Sequence, residues 1–436
     1  MAASKRPFSR DVEHSDDGGG GSRTVCVPIK RCRVDNCFSV TDHLYLDFPE
    51  RLVDGMTNVL MNNLCGRYCG VLITLTPLMV INSNAADETS PIGYSFSKAY
   101  CSIGKYDSQY VFSSLFKSGI DILLDYVEQR KLPSNNEKKT VLDTLLHFIF
   151  NLTNATDAQE SPFEELNQLS ESDLIIVLAN HLFGKLSTSS HFVIDKHCKG
   201  RLLNTTSCPC TKQSCKMTGM FGDTSIGNKR VWHGNVDIIV NDEVIVEVTE
   251  DICISPGGKS PVDVKLKTSS LSRNTQIIAQ TIVFSFLKKK RHPERSNFLT
   301  PCIGVTGSDL VIYFYDSEHD ILLESNAIPL FTPDSVTGGI NLTAVVVTWL
   351  VVNHKYLCDG LNHVDDLKTK KSGFFDQVQT KLNVYENELQ MGDVVPLTLN
   401  VLTSPAPKNL VFDATAVMAN DRCLKIAIAR NAPSKK

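Results

Sequence analysis

The chain has 436 residues, of which 42% are hydrophobic and 21% are charged, and its net charge is near −4. This composition is ordinary for a globular protein of two or three domains, and the charge excludes a protein that coats nucleic acid over its whole surface, although it is compatible with a local basic groove. The strongest apolar run, Leu342 to Val352, is about half of the ~20 residues that a membrane span needs, so we expect no transmembrane helix. The first residues carry no apolar signal segment, so the fourteen cysteines are expected to be reduced thiols of a nuclear or cytoplasmic protein that is not secreted.

The first 160 residues combine a polar tail, strands and helices. Residues 1–24 are polar and Gly-rich and are expected to be disordered. Residues 25–160 are expected to form a mixed N-terminal region that is helical in its second half. The predicted elements there include a strand, Gly70 to Leu75 closed by Pro77, and helices at about 110–127 and from Lys138 to Leu152.

A cysteine-rich stretch follows a third predicted helix, which runs from Ser172 to Leu186. The stretch is polar and loop-like, and it contains His197, Cys198, Cys208, Cys210 and Cys215. A structural zinc ion takes four Cys or His ligands and stabilises a loop that has little core of its own. Two interpretations stay open: zinc bound by Cys208, Cys210 and Cys215 with His197 or Cys198, or free cysteines in a flexible insertion, because the paired Cys-x₂-Cys spacing is missing.

The segment from Val231 to Thr249 predicts a β-hairpin with one acidic residue in each arm. Asp237 lies in the first arm, Glu247 in the second, and Asn241-Asp242 supplies the turn. A buried unpaired carboxylate costs several kcal/mol, so two of them on adjacent strands suggest that a cation lies between them. Mg²⁺ and Mn²⁺ prefer such oxygen ligands. The alternative is an ordinary edge strand with Glu247 on its solvated face, which needs no metal.

A helix with two glutamines follows the hairpin. It begins near Ser272 or Asn274 and runs to about Lys290. Gln276 and Gln280 are four residues apart and share a face, and the simplest interpretation is that both face solvent. The helix ends in the densest basic run of the chain, with Lys288, Lys289 and Arg291, interpreted either as a solvated helix end or as a phosphate contact.

The C-terminal part mixes strand and helix patterns. Strands are predicted at Cys302 to Val305 and Leu310 to Tyr315. Leu342 to Leu357 predicts a buried helix, although its β-branched residues leave a strand open. Residues 361–392 predict a helix or linker, and Val395 to Ala429 shows the alternation of strands.

Asp237, nine residues, and then Glu247-Val248-Thr249 resemble the acidic core of the PD-(D/E)XK nuclease superfamily. Gly234 before Asp237 and the glutamine-bearing helix, followed by a strand, resemble its RecB-like subtype. The resemblance implies an α/β, restriction-endonuclease-like mixed-sheet core with helical N-terminal and α+β C-terminal additions. The core would cover residues 161–325, with the Cys-rich insertion at 197–215, and residues 326–436 would form the extension. The helix that opens this fold often supplies a further carboxylate, here Glu164, Glu165 or Glu171.

The family pattern has a lysine where this chain has Thr249. That lysine orients the attacking water and stabilises the charge that develops on the phosphate, and a threonine does neither. The lysine has either migrated, with Lys265 or Lys267 in its place, or the site is degenerate.

The sequence therefore predicts a Mg²⁺- or Mn²⁺-dependent nuclease that acts on DNA or RNA. Its predicted residues are the metal ligands Asp237 and Glu247, the cations Lys265 or Lys267, and the substrate contacts Gln276, Gln280, Lys288, Lys289 and Arg291. The competing interpretations are an inactive module of the same fold that binds nucleic acid or protein, and an interaction protein unrelated to nucleases.

Overall fold

In the computed structural model of this chain, the described residues are 48–66, 70–87, 92–154, 163, 169–189, 191–199, 207–210, 215–249, 271–331 and 339–394. Several sequence predictions lie outside them: the tail at 1–24, Glu164, Glu165, Lys265, Lys267 and the strand-like segment from Val395 to Ala429. Nowhere in these ranges is a helix both long and apolar enough to span a bilayer.

The helices of the described residues are α1 (Glu50–Asn58), α2 (Lys117–Gln129), α3 (Asn136–Asn154), α4 (Glu171–Leu178), α5 (Gly184–Leu186), α6 (Thr275–Arg291), α7 (Leu342–Val352), α8 (His354–Leu357), α9 (Phe374–Gln377) and α10 (Leu382–Asn387). Wider π-type turns extend α1 over Val59–Leu64 and join α4 to α5 over Ala179–Phe183. The strands are β1 (Thr74–Ser83), β2 (Cys101–Lys105), β3 (Tyr110–Val111), β4 (Phe192–Asp195), β5 (Met220–Gly222), β6 (Ser225–Gly227), β7 (His233–Asn235), β8 (Ile238–Val240), β9 (Val244–Val248), β10 (Leu299–Val305), β11 (Asp309–Asp316), β12 (Ile321–Ser325), β13 (Ile328–Pro329) and β14 (Gln390–Met391).

Within the described ranges, eleven strands form one mixed sheet, so the predicted α/β class is confirmed. The strand order is β2-β1-β12-β11-β10-β9-β8-β4-β5, with β3 paired to β1 and β13 paired to β11. The pairs β9–β10 and β4–β5 are parallel, and the other pairs are antiparallel. Strands β14, β6 and β7 form a second, small sheet.

The central strands are mostly apolar because both faces of the sheet are covered. Successive side chains of a strand point to opposite faces. On β11, Tyr315 packs against Phe286 of α6 on one face, with ring centroids 5.9 Å apart. The preceding residue, Phe314, packs against Phe112 on the other face, with ring centroids 6.0 Å apart. A sheet buried on both faces favours Val, Ile and aromatic residues on both sides of each strand, which explains the largely apolar pattern of these strands and makes the buried Glu247 of β9 an exception.

Leu342 to Leu357 is helical, which decides between the two predictions for this segment. Asn341 caps α7 by accepting a hydrogen bond from the N–H of Thr343 at 2.9 Å. Trp349, fully buried, donates from its indole nitrogen to the carbonyl of Val141 on α3 at 2.7 Å. Burial on all sides outweighs the modest cost of β-branched residues in a helix.

Two predicted boundaries are wrong. Strand β1 does not end at Pro77 but continues to Ser83. Pro77 accepts a hydrogen bond from the N–H of Tyr106 at 3.0 Å, and pairing with β2 begins only at the following residue, Leu78. The helix predicted from about residue 110 begins at Lys117, because Tyr110–Val111 adds a short strand to β1.

Candidate functional site

The predicted hairpin is present, and it brings Asp237 and Glu247 together. Asn241 and Asp242 of its turn have φ values of 54° and 58°, a left-handed backbone that these two residue types tolerate. The register pairs Ile238 with Val246, so one step further along the same ladder Asp237 lies opposite Glu247. Directly opposite side chains share a face of the sheet. The N–H of Val248 donates to Oδ2 of Asp237 at 2.8 Å, which holds that carboxylate beside the second strand.

Glu247 is not the exposed residue of an edge strand. Strand β9 lies between β8 and β10, all of its residues are buried, and Glu247 is 6% exposed. The alternative in which Glu247 faces solvent is therefore wrong.

A third carboxylate, Asp195 at the end of β4, joins the pair and was missed from the sequence. Strand β4 pairs with β8, and the N–H of Asp195 donates to the carbonyl of Asp237 at 2.9 Å. Asp195 is buried, and its Oδ1 accepts a hydrogen bond from the side-chain amide of Asn235 at 2.9 Å. The available signal was the segment Phe192-Val193-Ile194-Asp195, an apolar strand that ends in Asp like the approach to Asp237.

Both glutamines of α6 face Glu247, so the interpretation of two solvent-facing glutamines is wrong. Gln276 donates from its amide to Oε1 of Glu247, and Gln280 donates to Oε2 at 2.9 Å. The helix comes this close because the neighbour of Glu247 on β10 is Gly304, where a Cβ would lie 2.7 Å from the Cδ1 atom of Ile277. Gln280 is fully buried, and its Oε1 accepts no hydrogen bond from the described residues.

The paired carboxylates lie in a buried environment, where their charges repel each other. Burial raises the pKa of Asp237 to about 7; the charges of Glu171 and Asp195 act in the same direction, and the N–H of Val248 opposes them. Burial and the charge of Asp237 also raise the pKa of Glu247 well above its usual value, against the hydrogen bonds from Gln280 and Gln276. A divalent cation would remove both the repulsion and the desolvation cost.

Of the three candidate carboxylates of the opening helix, Glu171 is the one within the described residues. It lies in the first turn of α4, and its charge contributes to the raised pKa of Asp237. Cys198 also lies beside these groups: burial, reinforced by Asp237 and Asp195, raises the pKa of its thiol to about 12. We call Asp195, Asp237 and Glu247, with Glu171 near them, the acidic site.

The charges of Glu171 and Asp195 raise the pKa of Asp237, and the charge of Asp237 raises the pKa of Glu247. Thr249 donates from its N–H to the carbonyl of Val305 at 2.8 Å, with its hydroxyl 3.4 Å from the same oxygen. Thr249 thus occupies the position where the predicted pattern has a lysine, and Lys265 and Lys267 lie outside the described residues.

The predicted substrate contacts at the end of α6 lie far from the acidic site. Lys288 is twelve residues beyond Gln276, which is about 18 Å along a helix. Lys288 is buried, donates to the carbonyl of Asp242 at 2.7 Å and pairs with Glu243 at 3.2 Å, at the turn end of the hairpin. Lys289 pairs with Glu318, and Arg291 is exposed. Lys288 is therefore paired with Glu243 inside the protein, and Arg291 lies on the surface.

A second group of potential ligands is formed by His181, Cys208, Cys210 and Cys215. Their ligand atoms all lie within 4.8 Å of one another, and among the described residues this is the group of His, Cys, Asp and Glu that meets this condition. The group can hold a metal ion such as zinc. The carboxylates of the acidic site do not form such a group, so a cation there would depend on two protein ligands together with water and substrate.

The histidine of this group is His181, not the predicted His197. His197 lies instead with its Nδ1 3.0 Å from Oδ1 of Asp195. Cys198, the other predicted alternative, is beside the acidic site. His181 was missed because it lies in the predicted third helix, 27 residues before Cys208, and only the tertiary structure brings the two together.

Comparisons with protein-family models, with curated proteins and with solved structures find no match to this chain.

Proposed function

We propose that this protein is a divalent-metal-dependent nuclease of the restriction-endonuclease-like fold, which hydrolyses phosphodiester bonds of DNA or RNA. The observation that carries the proposal is the pairing of Asp237 with Glu247 across β8 and β9, with both glutamines of α6 on Glu247. The order of elements supports it as well: a helix, the acidic hairpin, the glutamine helix, and then β10, which pairs with β9.

The residues present fit a hydrated divalent cation. Asp237 and Glu247 would hold it, and Oε1 of Gln280 offers a buried oxygen that accepts no hydrogen bond from the described residues. Bound Mg²⁺ or Mn²⁺ would supply an activated water and stabilise the charge that develops on the phosphate. The chain itself fixes the ligands: Val248 holds Oδ2 of Asp237, and Gln276 and Gln280 hold the two oxygens of Glu247. Such preorganisation avoids the cost of moving charged groups during the reaction.

The second candidate is an inactive module of the same fold that binds nucleic acid or protein. Thr249 favours it, because this position carries no cation that could orient a water. The hydrogen bonds to both oxygens of Glu247 favour it too, because they stabilise the buried carboxylate without any metal.

Cleavage of single-stranded and double-stranded DNA and RNA in Mg²⁺ or Mn²⁺ tests the first proposal. Asp237→Asn removes one metal ligand at constant volume, so we expect it to lower the cleavage rate by about 10²-fold or more. Asp107→Asn, which changes an exposed Asp on the turn after β2, is the matched control and should leave the rate unchanged.

The results of these assays distinguish a nuclease from an inactive module and from a protein that does not act on nucleic acid. Salt-sensitive nucleic-acid binding without cleavage, equal in Asp237→Asn and the unchanged protein, supports the inactive module. Cleavage that survives Asp237→Asn contradicts the proposed site. The absence of both cleavage and salt-sensitive binding contradicts a role with nucleic acid.

A further inference from the structure

We propose that His181, Cys208, Cys210 and Cys215 bind one zinc ion, which fixes the helix segment after Glu171 to the strand that carries Asp195. The distances match a tetrahedral site. Nε2 of His181 is 3.4 Å from the sulfur of Cys208 and 3.5 Å from that of Cys215. Zinc bond lengths to sulfur and nitrogen place two such ligands about 3.6 Å apart at the tetrahedral angle. The ligand atoms of all four residues lie within 4.8 Å of one another, as four ligands of one metal ion must.

The backbone holds the ligands in this arrangement. The N–H of Cys208 donates to the carbonyl of Cys215 at 3.1 Å, and Ser207 pairs with Lys216, so the backbone holds Cys208 and Cys215 side by side. Asn180, next to His181, accepts from the N–H of Thr218 at 3.0 Å. His181 itself lies in the π-type turn Ala179–Phe183 between α4 and α5.

The ligand set identifies the class of metal. Three cysteines and one histidine suit zinc, which takes soft sulfur and imidazole ligands in four-coordinate, closed structural sites. Cys208, Cys210 and Cys215 are free cysteines, so no disulfide competes for the sulfur atoms. Four protein ligands leave no open position, which predicts a structural ion and not a catalytic one.

The position of the cluster determines what the ion would hold together. His181 follows α4, the helix that begins with Glu171. Five residues after Cys215, strand β5 begins and pairs in parallel with β4, with Gly222 opposite Asp195. One ion would therefore join α4 to β4 and β5. These are the last two strands at one edge of the large sheet, next to the acidic site. A three-residue edge strand has few hydrogen bonds of its own, so such a cross-link has a large local effect.

Metal analysis of the full-length chain tests the inference without any assay of activity. We expect one zinc per chain in the purified protein, and less than a tenth of that in Cys210→Ser and in His181→Ala. His191→Ala, at an exposed histidine just before β4, and Cys65→Ser, at a half-buried cysteine after α1, are matched controls that should retain the zinc.

Cobalt substitution keeps the test decisive if a variant fails to fold. The unchanged protein, reloaded with Co²⁺, should show the visible absorption of a tetrahedral site with thiolate ligands. In zinc-free protein, the amides of β4 should exchange with solvent at least tenfold faster, whereas those of β11 and β12 should keep their protection. The site would be overturned if the purified protein contains no zinc, if the thiols of Cys208, Cys210 and Cys215 react freely with a thiol reagent, and if Co²⁺ gives no visible spectrum. Unchanged exchange in β4 would overturn its structural role, and neither result depends on nuclease activity.

Discussion

The double substitution Lys265→Met/Lys267→Met should lower Mg²⁺-dependent cleavage by about 10²-fold or more, the usual loss when one group that stabilises transition-state charge is removed. The reason is the composition of the acidic site. The named neighbouring charges of Asp237 and Glu247 are carboxylates, and position 249 is a threonine, so under the proposed function the cation would come from another part of the chain. Cleavage rates at saturating Mg²⁺ measure the loss. Lys117→Met, at an exposed lysine that begins α2, is the control.

Adding Thr249→Lys to this double variant should restore part of the rate. Position 249 directly follows β9 and lies two residues beyond Glu247, so in an extended chain a lysine there is expected on the side of the sheet that carries Glu247. If Lys265→Met/Lys267→Met has no effect on a cleaving protein, the lysines have not taken over the role of the motif lysine. If the unchanged chain does not cleave but Thr249→Lys alone does, the inactive module is the natural state of this site.

Glu243→Ala should lower the free energy of unfolding by about 3–5 kcal/mol, the cost of leaving a buried charge without its partner. Glu243 accepts two hydrogen bonds from Arg295, both at 2.8 Å, and pairs with Lys288 at 3.2 Å. The Lys288 side chain is only 4% exposed, so water cannot replace the lost carboxylate. Urea unfolding at pH 7 measures the change. Asp125→Ala, which breaks the exposed pair with Lys131, should cost less than about 1 kcal/mol.

The effect of Glu243 should depend on pH in the acid range. Burial alone would raise its pKa, but the hydrogen bonds from Arg295 and the charge of Lys288 outweigh burial and lower the pKa to about 2. A depressed carboxyl pKa stabilises the folded protein fully above the usual value of 4.5, and this contribution is lost as the pH falls through the folded value. The stability difference between the unchanged protein and Glu243→Ala should therefore shrink between pH 4.5 and 2. A difference that stays constant over this range would contradict the assigned ion pair.

A variant that lacks both buried charges distinguishes the stability contributed by the Glu243–Lys288 ion pair from that contributed by packing. Glu243→Leu/Lys288→Met replaces the carboxylate and the ammonium by apolar groups, and it should cost less than Glu243→Ala alone. If the double variant is the less stable one, the fold depends on the pair itself. Either outcome measures what the contacts of Lys288 with Asp242 and Glu243 contribute to the hairpin.

The sequence alone determined the part of the site that depends on local chain geometry. The turn at Asn241-Asp242 sets the register of one hairpin, and that register places Asp237 opposite Glu247. Likewise, the four-residue spacing of Gln276 and Gln280 puts both on one side of α6. The sequence did not show what this side of α6 faces. That depends on the packing of α6 against Gly304, which lies on β10, a strand that follows the helix in the chain.

What only the tertiary structure decided involves partners far apart in the chain. Asp195 reaches Asp237 through the pairing of β4 with β8, across the cysteine-rich segment, and His181 reaches the cysteines through the packing of that segment against the turn after α4. Local patterns predict elements and short hairpins, because a turn of a few residues fixes their geometry. The pairing of strands far apart in the chain depends on which faces of the strands and helices become buried together. No spacing in the sequence therefore revealed that Asp195 and His181 complete these two sites.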